Sequence, residues 1–163
     1  MTGIAPPRIT LKAIDGSVAS AVAARPSVAS DKNAPHRPET RSILLVDDDE
    51  AVLDTFGRML RLKAYDVCAV ANPTEGLKAA EQRRPDAIIL DFRMPLLDGL
   101  GCLRSLRALD HHRNTPVAIV TGDYCLDDVI TNEVQALGGL VLFKPLWLEQ
   151  LVDLARTLLT KEA

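Results

Sequence analysis

The sequence predicts an α/β fold in which helices cover both faces of a doubly wound sheet of five parallel strands. Five short apolar runs recur after residue 42, and segments with helical spacing separate them. Repeated alternation of strand and helix is typical of parallel strands joined by right-handed crossovers. Because most of these runs lack a polar residue at every second position, we expect both faces of the sheet to be buried.

The predicted strands are short, and polar or turn-forming residues follow them. In an open parallel sheet, ligands bind beyond the carboxyl ends of the strands, so the residues at those ends are the candidates for a site. The five runs are ILLV (43–46), YDVCAV (65–70), AIILD (87–91), VAIVT (117–121) and LVLF (140–143).

Each strand is followed by a segment in which apolar residues recur at helical spacing. Pro73 and Thr74 open the second of these segments, as expected of a helix N-terminus. Gly138 and Gly139 are predicted to cap the end of the fourth. The apolar stripe of the first helix is formed by Val52, Leu53, Phe56, Met59 and Leu60. The five segments are EAVLDTFGRMLRLKA, PTEGLKAAEQRR, DGLGCLRSLRALD, CLDDVITNEVQALGG and LWLEQLVDLARTLL.

Length and composition favour one folded domain, residues 42–160, preceded by an N-terminal tail, residues 1–41. The chain has 163 residues, of which 47% are hydrophobic and 25% charged, as is normal for a globular protein with an apolar core. The tail has frequent prolines and no sustained apolar period, so we expect it to be disordered or weakly structured. Its stretch ITLKAIDGSVASAVAA has a pattern that could form an amphipathic helix on a partner.

Charge is distributed unevenly along the chain. Residues 1–41 contain six Lys or Arg and three Asp or Glu, whereas the rest of the chain contains 13 Lys or Arg and 19 Asp or Glu. An acidic domain does not favour direct DNA binding, because neutralisation of phosphates requires clustered Lys and Arg. No apolar run approaches the roughly 20 residues that cross a bilayer, and Asp15 and Gly16 interrupt the N-terminal segment, so neither a membrane span nor secretion is expected.

The three cysteines, Cys68, Cys102 and Cys125, have no C-x-x-C spacing. They are interpreted as reduced thiols of a cytoplasmic protein. The alternative is a zinc site in which they act together with His111 and His112.

Acidic residues follow the first and third predicted strands. Asp47, Asp48 and Asp49 come directly after ILLV, and Asp91 ends AIILD. Asp49, with Glu50 beside it, is explained by the N-terminus of the following helix, where acidic residues complement the helix dipole. Asp47 and Asp48 are not explained in this way. If the two strands are neighbours, two or three carboxylates converge, and these oxygen ligands favour Mg²⁺ or a similar ion.

A hydroxyl and an ammonium group are predicted at the same edge of the sheet. Thr121 ends strand four, and Lys144 follows strand five. Carboxylates, a divalent metal, a hydroxyl and a lysine suit a carboxylate nucleophile that accepts a phosphoryl group. The cations offset the charge on the phosphoryl oxygens, and the hydroxyl donates a hydrogen bond.

Over residues 42–160 the chain resembles the receiver domain of two-component response regulators, in particular stand-alone receivers of the chemotaxis-regulator type. The resemblance rests on the acidic pair after strand one, LDFRMPLLDG around Asp91, VTG at the end of strand four and FKP after strand five. It implies a flavodoxin-like sheet with strand order 2-1-3-4-5.

The resemblance also implies a role for each of these residues. Asp91 is the phosphoacceptor, and Asp47, Asp48 and Asp91 hold Mg²⁺. Thr121 is the hydroxyl that follows the phosphoryl group, and Lys144 is the charge clamp. Members of the family catalyse their own phosphorylation from a phosphohistidine, which a histidine kinase or a histidine phosphotransfer protein supplies, and their own dephosphorylation.

One position departs from the family pattern. Family members often carry Tyr or Phe three residues before the lysine, and that ring rotates inward on activation. Val141 occupies this position here, so a switch of the usual form is not expected. Phe143 lies on the same strand face as Val141 and is a candidate for a displaced substitute.

Three functions remain open on the sequence alone. The first is a single-domain switch that signals through a downstream protein target, since few residues remain after the last helix for an output domain. The second is a phosphorelay intermediate or phosphate sink. The third, more remote, is a haloacid-dehalogenase-like phosphatase, which would need an Asp two residues after its nucleophile, where this chain has Arg93. A plain flavodoxin-like binding module would carry a phosphate loop after strand one, and none is found there.

In the resemblance, helix four, strand five and helix five form the output surface, which could also support a homodimer. Without a ring at position 141, the loop after Thr121 is expected to carry the switch, because Gly122 permits large dihedral changes. Trp147 is predicted to pack in the core, with an exposed binding anchor as the alternative. Arg93 and Asp123 are predicted to form an ion pair. The residues assigned to the output surface are Asp127, Asp128, Glu133, Val141, Trp147, Glu149 and Gln150.

Overall fold

The computed structural model describes residues 40–160. These residues form one parallel sheet of five strands in the order β2-β1-β3-β4-β5, which confirms the predicted fold. The predicted tail and its candidate amphipathic helix lie almost wholly outside the described residues. The strands are β1 (Ser42–Val46), β2 (Asp66–Val70), β3 (Ala87–Asp91), β4 (Val117–Thr121) and β5 (Gly139–Phe143).

The helices lie on both faces of the sheet, one after each strand. The first helix begins at Glu50 and is capped by Asp49, whose carboxylate accepts hydrogen bonds from the amides of Ala51 and Val52, as the acidic start of this segment predicts. The helices are α1 (Glu50–Leu62), α2 (Pro73–Arg83), α3 (Gly99–Ala108), α4 (Asp128–Ala136) and α5 (Leu148–Thr160), with a short 3₁₀ helix (Asp110–His112) after α3.

Helix α4 differs from the prediction at both ends. It begins three residues later than its apolar spacing indicated, because Asp127 caps it by accepting from the Val129 amide. At the other end Gly138 has the positive φ of 73° that a helix-terminating glycine adopts. The prediction for Gly139 was wrong, since this residue is the first of β5.

The sheet separates two apolar layers. The layer beneath α1 and α5 includes Phe56 and Leu60 of the predicted α1 stripe, while Val52, Leu53 and Met59 pack at its margin. The other layer lies beneath α2, α3 and α4. Strands β3 and β4 are buried along their whole length, so the central strands deliver their last residues, Asp91 and Thr121, to the edge of the sheet with little freedom to move. Within residues 40–160 no helix is long and apolar enough to cross a membrane.

Candidate functional site

Strand register brings the predicted polar residues to one level of the sheet. Val46 is paired with Leu90, so Asp47 and Asp91 leave neighbouring strands together. Asp91 is in turn paired with Val120, which places Thr121 next along the adjoining strand. Thr121 is paired with Phe143, so Lys144 follows at the end of β5.

The Lys144 side chain connects the two buried carboxylates. Its Nζ donates to Asp91 Oδ1 at 2.7 Å and to Asp47 Oδ2 at 2.7 Å. Asp47 and Asp91 are only 3% and 7% exposed, and a buried carboxylate is costly unless it is paired. The ammonium therefore compensates two carboxylates that the strands place side by side.

Asp47, Asp48 and Asp91 form an acidic cluster. One carboxylate oxygen from each residue lies within 4.8 Å of the others, with Asp48 exposed and the other two buried. Asp49 does not belong to this cluster, because its carboxylate caps α1. Three carboxylate oxygens at this separation, one of them open to solvent, fit a hard divalent cation that keeps several water ligands.

The site perturbs the ionisation of its groups. Burial raises the pKa of the Asp91 carboxyl above its ordinary value, although the hydrogen bond and charge of Lys144 act in the opposite direction. Burial alone would lower the pKa of Lys144, but its hydrogen bonds to Asp47 and Asp91 outweigh this effect and raise it. The site thus holds a protonated lysine beside a carboxylate whose charge is only partly compensated.

Thr121 and the β3–α3 loop border this cluster. Thr121 is buried, and its Oγ1 accepts from the Asp123 amide at 3.0 Å, which leaves the hydroxyl hydrogen free to donate. The loop returns over Asp91 at Gly99, where an added Cβ would lie 2.6 Å from the Asp91 carbonyl oxygen. A larger residue would displace the loop, so the glycine is required by this close approach.

Arg93 and Asp123 form the predicted ion pair between the β3–α3 and β4–α4 loops. The hydrogen bond from Arg93 holds the pKa of the Asp123 carboxyl below its ordinary value. Arg93 is largely exposed, so its long side chain extends across the outside of the site, two residues from Asp91.

Sequence reasoning missed Tyr124, which lies in the β4–α4 loop. Its ring stacks on Phe143, with centroids 5.6 Å apart and an interplanar angle of 14°. Its hydroxyl donates to the Lys144 carbonyl oxygen. Val141 packs at the margin of the apolar layer beneath α2, α3 and α4. The aromatic residue three positions after Thr121 was the one signal that could have found this contact.

The prediction that Trp147 packs in the core was wrong, because Trp147 is 69% exposed. Its neighbours Leu146 and Leu151 fill the space between α5 and the sheet instead. Trp147 stands at the start of α5, where its carbonyl accepts from the Leu151 amide and its amide donates to Gln150 Oε1.

The zinc alternative finds no support in the geometry. His112 is buried, and its ring nitrogens lie 3.0 Å from Thr115 Oγ1 and 3.0 Å from the Ala80 carbonyl oxygen, so protein atoms occupy both. Burial raises the pKa of the Cys102 thiol to about 11, which keeps it protonated. Among the residues that the structure describes, only the aspartate cluster gathers three potential ligands.

The sequence matches the family model described as the response regulator receiver domain over residues 43–156. The chain belongs to the response regulator receiver family. Curated relatives include the transcriptional regulatory protein PrrA of Mycobacterium tuberculosis, which is 37% identical over 119 residues, 73% of this chain and 50% of PrrA. Response regulator MprA of Mycobacterium leprae is 34% identical over 73% of this chain and 51% of its own length. This receiver therefore spans about half the length of the curated relatives it matches.

Solved receiver structures share the fold over most of their length. The chemotaxis protein CheY4 of Vibrio cholerae aligns with a TM-score of 0.68 and 26% identity, covering 73% of this chain and 98% of CheY4. The receiver domain of the sensor histidine kinase PA1611 of Pseudomonas aeruginosa aligns with a TM-score of 0.65 and 32% identity. The alignment covers 73% of this chain and 97% of the PA1611 receiver domain. The PA1611 structure contains a magnesium ion coordinated in the active site cleft.

Proposed function

We propose that this receiver accepts a phosphoryl group on Asp91 from a histidine kinase or a histidine phosphotransfer protein in the cytoplasm. One observation carries the proposal: Lys144 Nζ lies 2.7 Å from both Asp91 and Asp47, beside a third carboxylate, that of Asp48. In the transfer, an Asp91 oxygen forms a bond to phosphorus while the bond from phosphorus to the donor's histidine nitrogen breaks. Hydrolysis by water later returns the carboxylate and releases inorganic phosphate.

Several residues around Asp91 would compensate the negative charge of the phosphoryl group. Asp47, Asp48 and Asp91 would hold Mg²⁺, which when bound offsets charge on the phosphoryl oxygens. The same role follows by similarity from the magnesium site of PA1611. Lys144 supplies a second positive charge at Asp91, and the Thr121 hydroxyl is free to donate to a phosphoryl oxygen.

The output surface consists of α4, β5 and α5 and the loops that precede α4 and α5. Large apolar side chains are exposed on it, at Tyr124, Val129, Phe143, Trp147 and Leu148, which favours contact with a protein. Asp127, Asp128 and Glu149 are exposed beside them. Glu133 is less available, because Arg104 of α3 holds its carboxylate at 2.7 Å through two hydrogen bonds.

Phosphorylation-dependent binding of a downstream protein through this surface is the output that we propose. The relatives PrrA and MprA are named as a transcriptional regulatory protein and a response regulator, and the acidic receiver itself does not favour direct contact with DNA. A homodimer through the same surface is the alternative, which sedimentation with and without beryllofluoride distinguishes.

Phosphotransfer from a panel of labelled histidine kinases tests the proposal. We expect at least one kinase to lose its label to the wild-type receiver within seconds to minutes and none to label Asp91→Asn. Equal labelling of both proteins would contradict the role of Asp91. Return of label from Asp91 to a histidine protein, without any partner bound by the phosphorylated form, would favour the relay or phosphate-sink function.

Amide-shift mapping with Mg²⁺ and beryllofluoride, which mimics the phosphoryl group, tests the output surface. We expect the largest changes at residues 121–130 and little change at Val141. Changes confined to residues 47–49 and 91–95 would reject this surface as the output.

A further inference from the structure

Lys144 is held at three points by the residues around it. Its Nζ contacts Asp91 and Asp47, and its amide donates to the Thr121 carbonyl oxygen at 2.7 Å. The third contact is the hydrogen bond from the Tyr124 hydroxyl to the Lys144 carbonyl oxygen. The main chain of the lysine is therefore fixed from the β4 side by two residues that lie three positions apart.

The Tyr124 ring adds a contact to the residue before the lysine. It lies almost parallel to the Phe143 ring, at a centroid distance of 5.6 Å. Phe143 and Tyr124 are both exposed at the surface. A stacked pair of rings contributes more free energy than the area it buries accounts for, so the stack stabilises the contact between the β4–α4 loop and the end of β5 outside the site.

We propose that Tyr124 is a positioning residue for Lys144, and that the Tyr124–Phe143 stack couples the position of the lysine to the exposed output surface. This inference rests on the proposed function of Asp91. A phosphoryl group on Asp91 competes for the Lys144 ammonium and the Thr121 hydroxyl, so the main chain at both residues shifts. Tyr124 belongs to the loop that follows Thr121 and is hydrogen-bonded to the Lys144 carbonyl oxygen, so it links the two segments. Val141, which packs against the apolar layer, does not carry a ring that could follow this shift.

The variant Tyr124→Phe removes only the hydroxyl and keeps the ring. We expect its rate of phosphorylation by acetyl phosphate to fall about five-fold, the factor that the loss of one neutral hydrogen bond corresponds to. Phe143→Leu, which removes the stack but keeps the hydroxyl, should also slow the reaction. Tyr65→Phe is the matched control, because it deletes the hydroxyl of the chain's other tyrosine. Tyr65 packs at the margin of the apolar layer beneath α1 and α5, and it precedes β2, at the opposite end of the parallel strands from Asp91.

Two further readouts separate positioning from general stability. Trp147, the chain's single tryptophan, lies three residues beyond Lys144, and its emission should respond to Mg²⁺ and beryllofluoride in wild type. In Tyr124→Phe we expect that response to fall by about half, since the two states are less strongly coupled, while the melting temperature stays close to that of Tyr65→Phe. In the unmodified protein, the Lys144 carbonyl-carbon shift should change in Tyr124→Phe and remain unchanged in Tyr65→Phe.

These measurements test the positioning role of Tyr124 separately from the phosphoacceptor role of Asp91. A Tyr124→Phe variant with the wild-type rate, the wild-type emission response and an unchanged Lys144 carbonyl shift would overturn the positioning role. Equal slowing in Tyr65→Phe would do the same, because it would point to stability alone. A wild-type protein that acetyl phosphate does not modify would overturn the function proposed for Asp91, while the carbonyl shift would still test the Tyr124 contact.

Discussion

Replacement of Asp91 by Asn should stabilise the metal-free protein. The carboxylate oxygens of Asp47, Asp48 and Asp91 lie within 4.8 Å of one another. At an effective dielectric constant of about 20, two charges at that distance repel by ~3.5 kcal/mol, and an ion pair at 2.7 Å attracts by ~6 kcal/mol. Asp91 meets two carboxylates and one ammonium, so its interactions are slightly unfavourable in sum.

Two further effects act on this balance. Exposure of Asp48 weakens its repulsion, whereas burial of the Asp91 carboxylate adds a cost. We therefore expect Asp91→Asn to raise the free energy of unfolding by about 1 kcal/mol and the melting temperature by roughly 3–5 °C. Asn keeps the shape of Asp, and its side-chain oxygen still accepts from Lys144.

The effect should depend on pH with a defined sign. The folded-state pKa of Asp91 is raised above its ordinary value of 3.8. The destabilisation by the Asp91 charge is therefore absent below the pKa that Asp91 has in the unfolded chain. It grows as pH rises from that value to the raised pKa of the folded protein, and it is complete above the latter. The stability gap between Asp91→Asn and wild type should open over that window and remain constant above it.

Magnesium should reduce or reverse the difference in stability between Asp91→Asn and wild type. An ion that binds only the folded state stabilises it by about 1.4 kcal/mol at ten times its dissociation constant, and Asp91→Asn loses one of the three carboxylates. Thermal unfolding in EDTA and in excess Mg²⁺ provides the assay, with Asp66→Asn, an exposed position on β2, as the control. An Asp91→Asn variant less stable than wild type in EDTA would refute the electrostatic reasoning.

Three other predictions concern separate parts of the chain. Arg93→Asn should shorten the phospho-lifetime, because the ion pair with Asp123 holds a long side chain where water approaches; an unchanged or longer lifetime would count against this. A protein that starts near Glu39 should be phosphorylated at the full-length rate, and a truncated protein that fails to react would show that the tail contributes. Partial burial acts to raise the pKa of the Asp86 carboxyl, but hydrogen bonds from Ser42 outweigh this effect and hold that pKa below its ordinary value of 3.8. The stabilisation by Asp86 should therefore be lost as pH falls below about 4, and denaturant titrations of wild type and Asp86→Asn across pH 3–7 check this.

The strands were predictable from the sequence because burial on both faces leaves a simple signature. The runs ending at Asp91 and Thr121 were predicted with the observed bounds, and the others began one residue away. Polar residues at the ends of these runs had few alternative positions, since parallel strands put their carboxyl ends at one edge. The strand order itself came from the resemblance to receivers, not from the apolar pattern.

The loops were less predictable because their conformation depends on contacts between distant residues. Apolar spacing extended α4 back to Cys125, but Asp123 accepts from the Cys125 amide and ends the strand in a turn instead. Tyr124 contacts Lys144 across 20 positions of sequence, which no local pattern encodes. A large apolar residue such as Trp147 is expected in the core, yet Trp147 is exposed and Leu146, one position earlier, is buried instead.

The assignment of Asp91 as the phosphoacceptor is tested by identifying the modified residue itself. After incubation with acetyl phosphate and Mg²⁺, borohydride converts an aspartyl phosphate to homoserine, which mass spectrometry of peptides locates. We predict homoserine at position 91 in wild type, and none in EDTA or in Asp91→Asn. Homoserine at another aspartate, or label retained by Asp91→Asn at the wild-type yield, would contradict it.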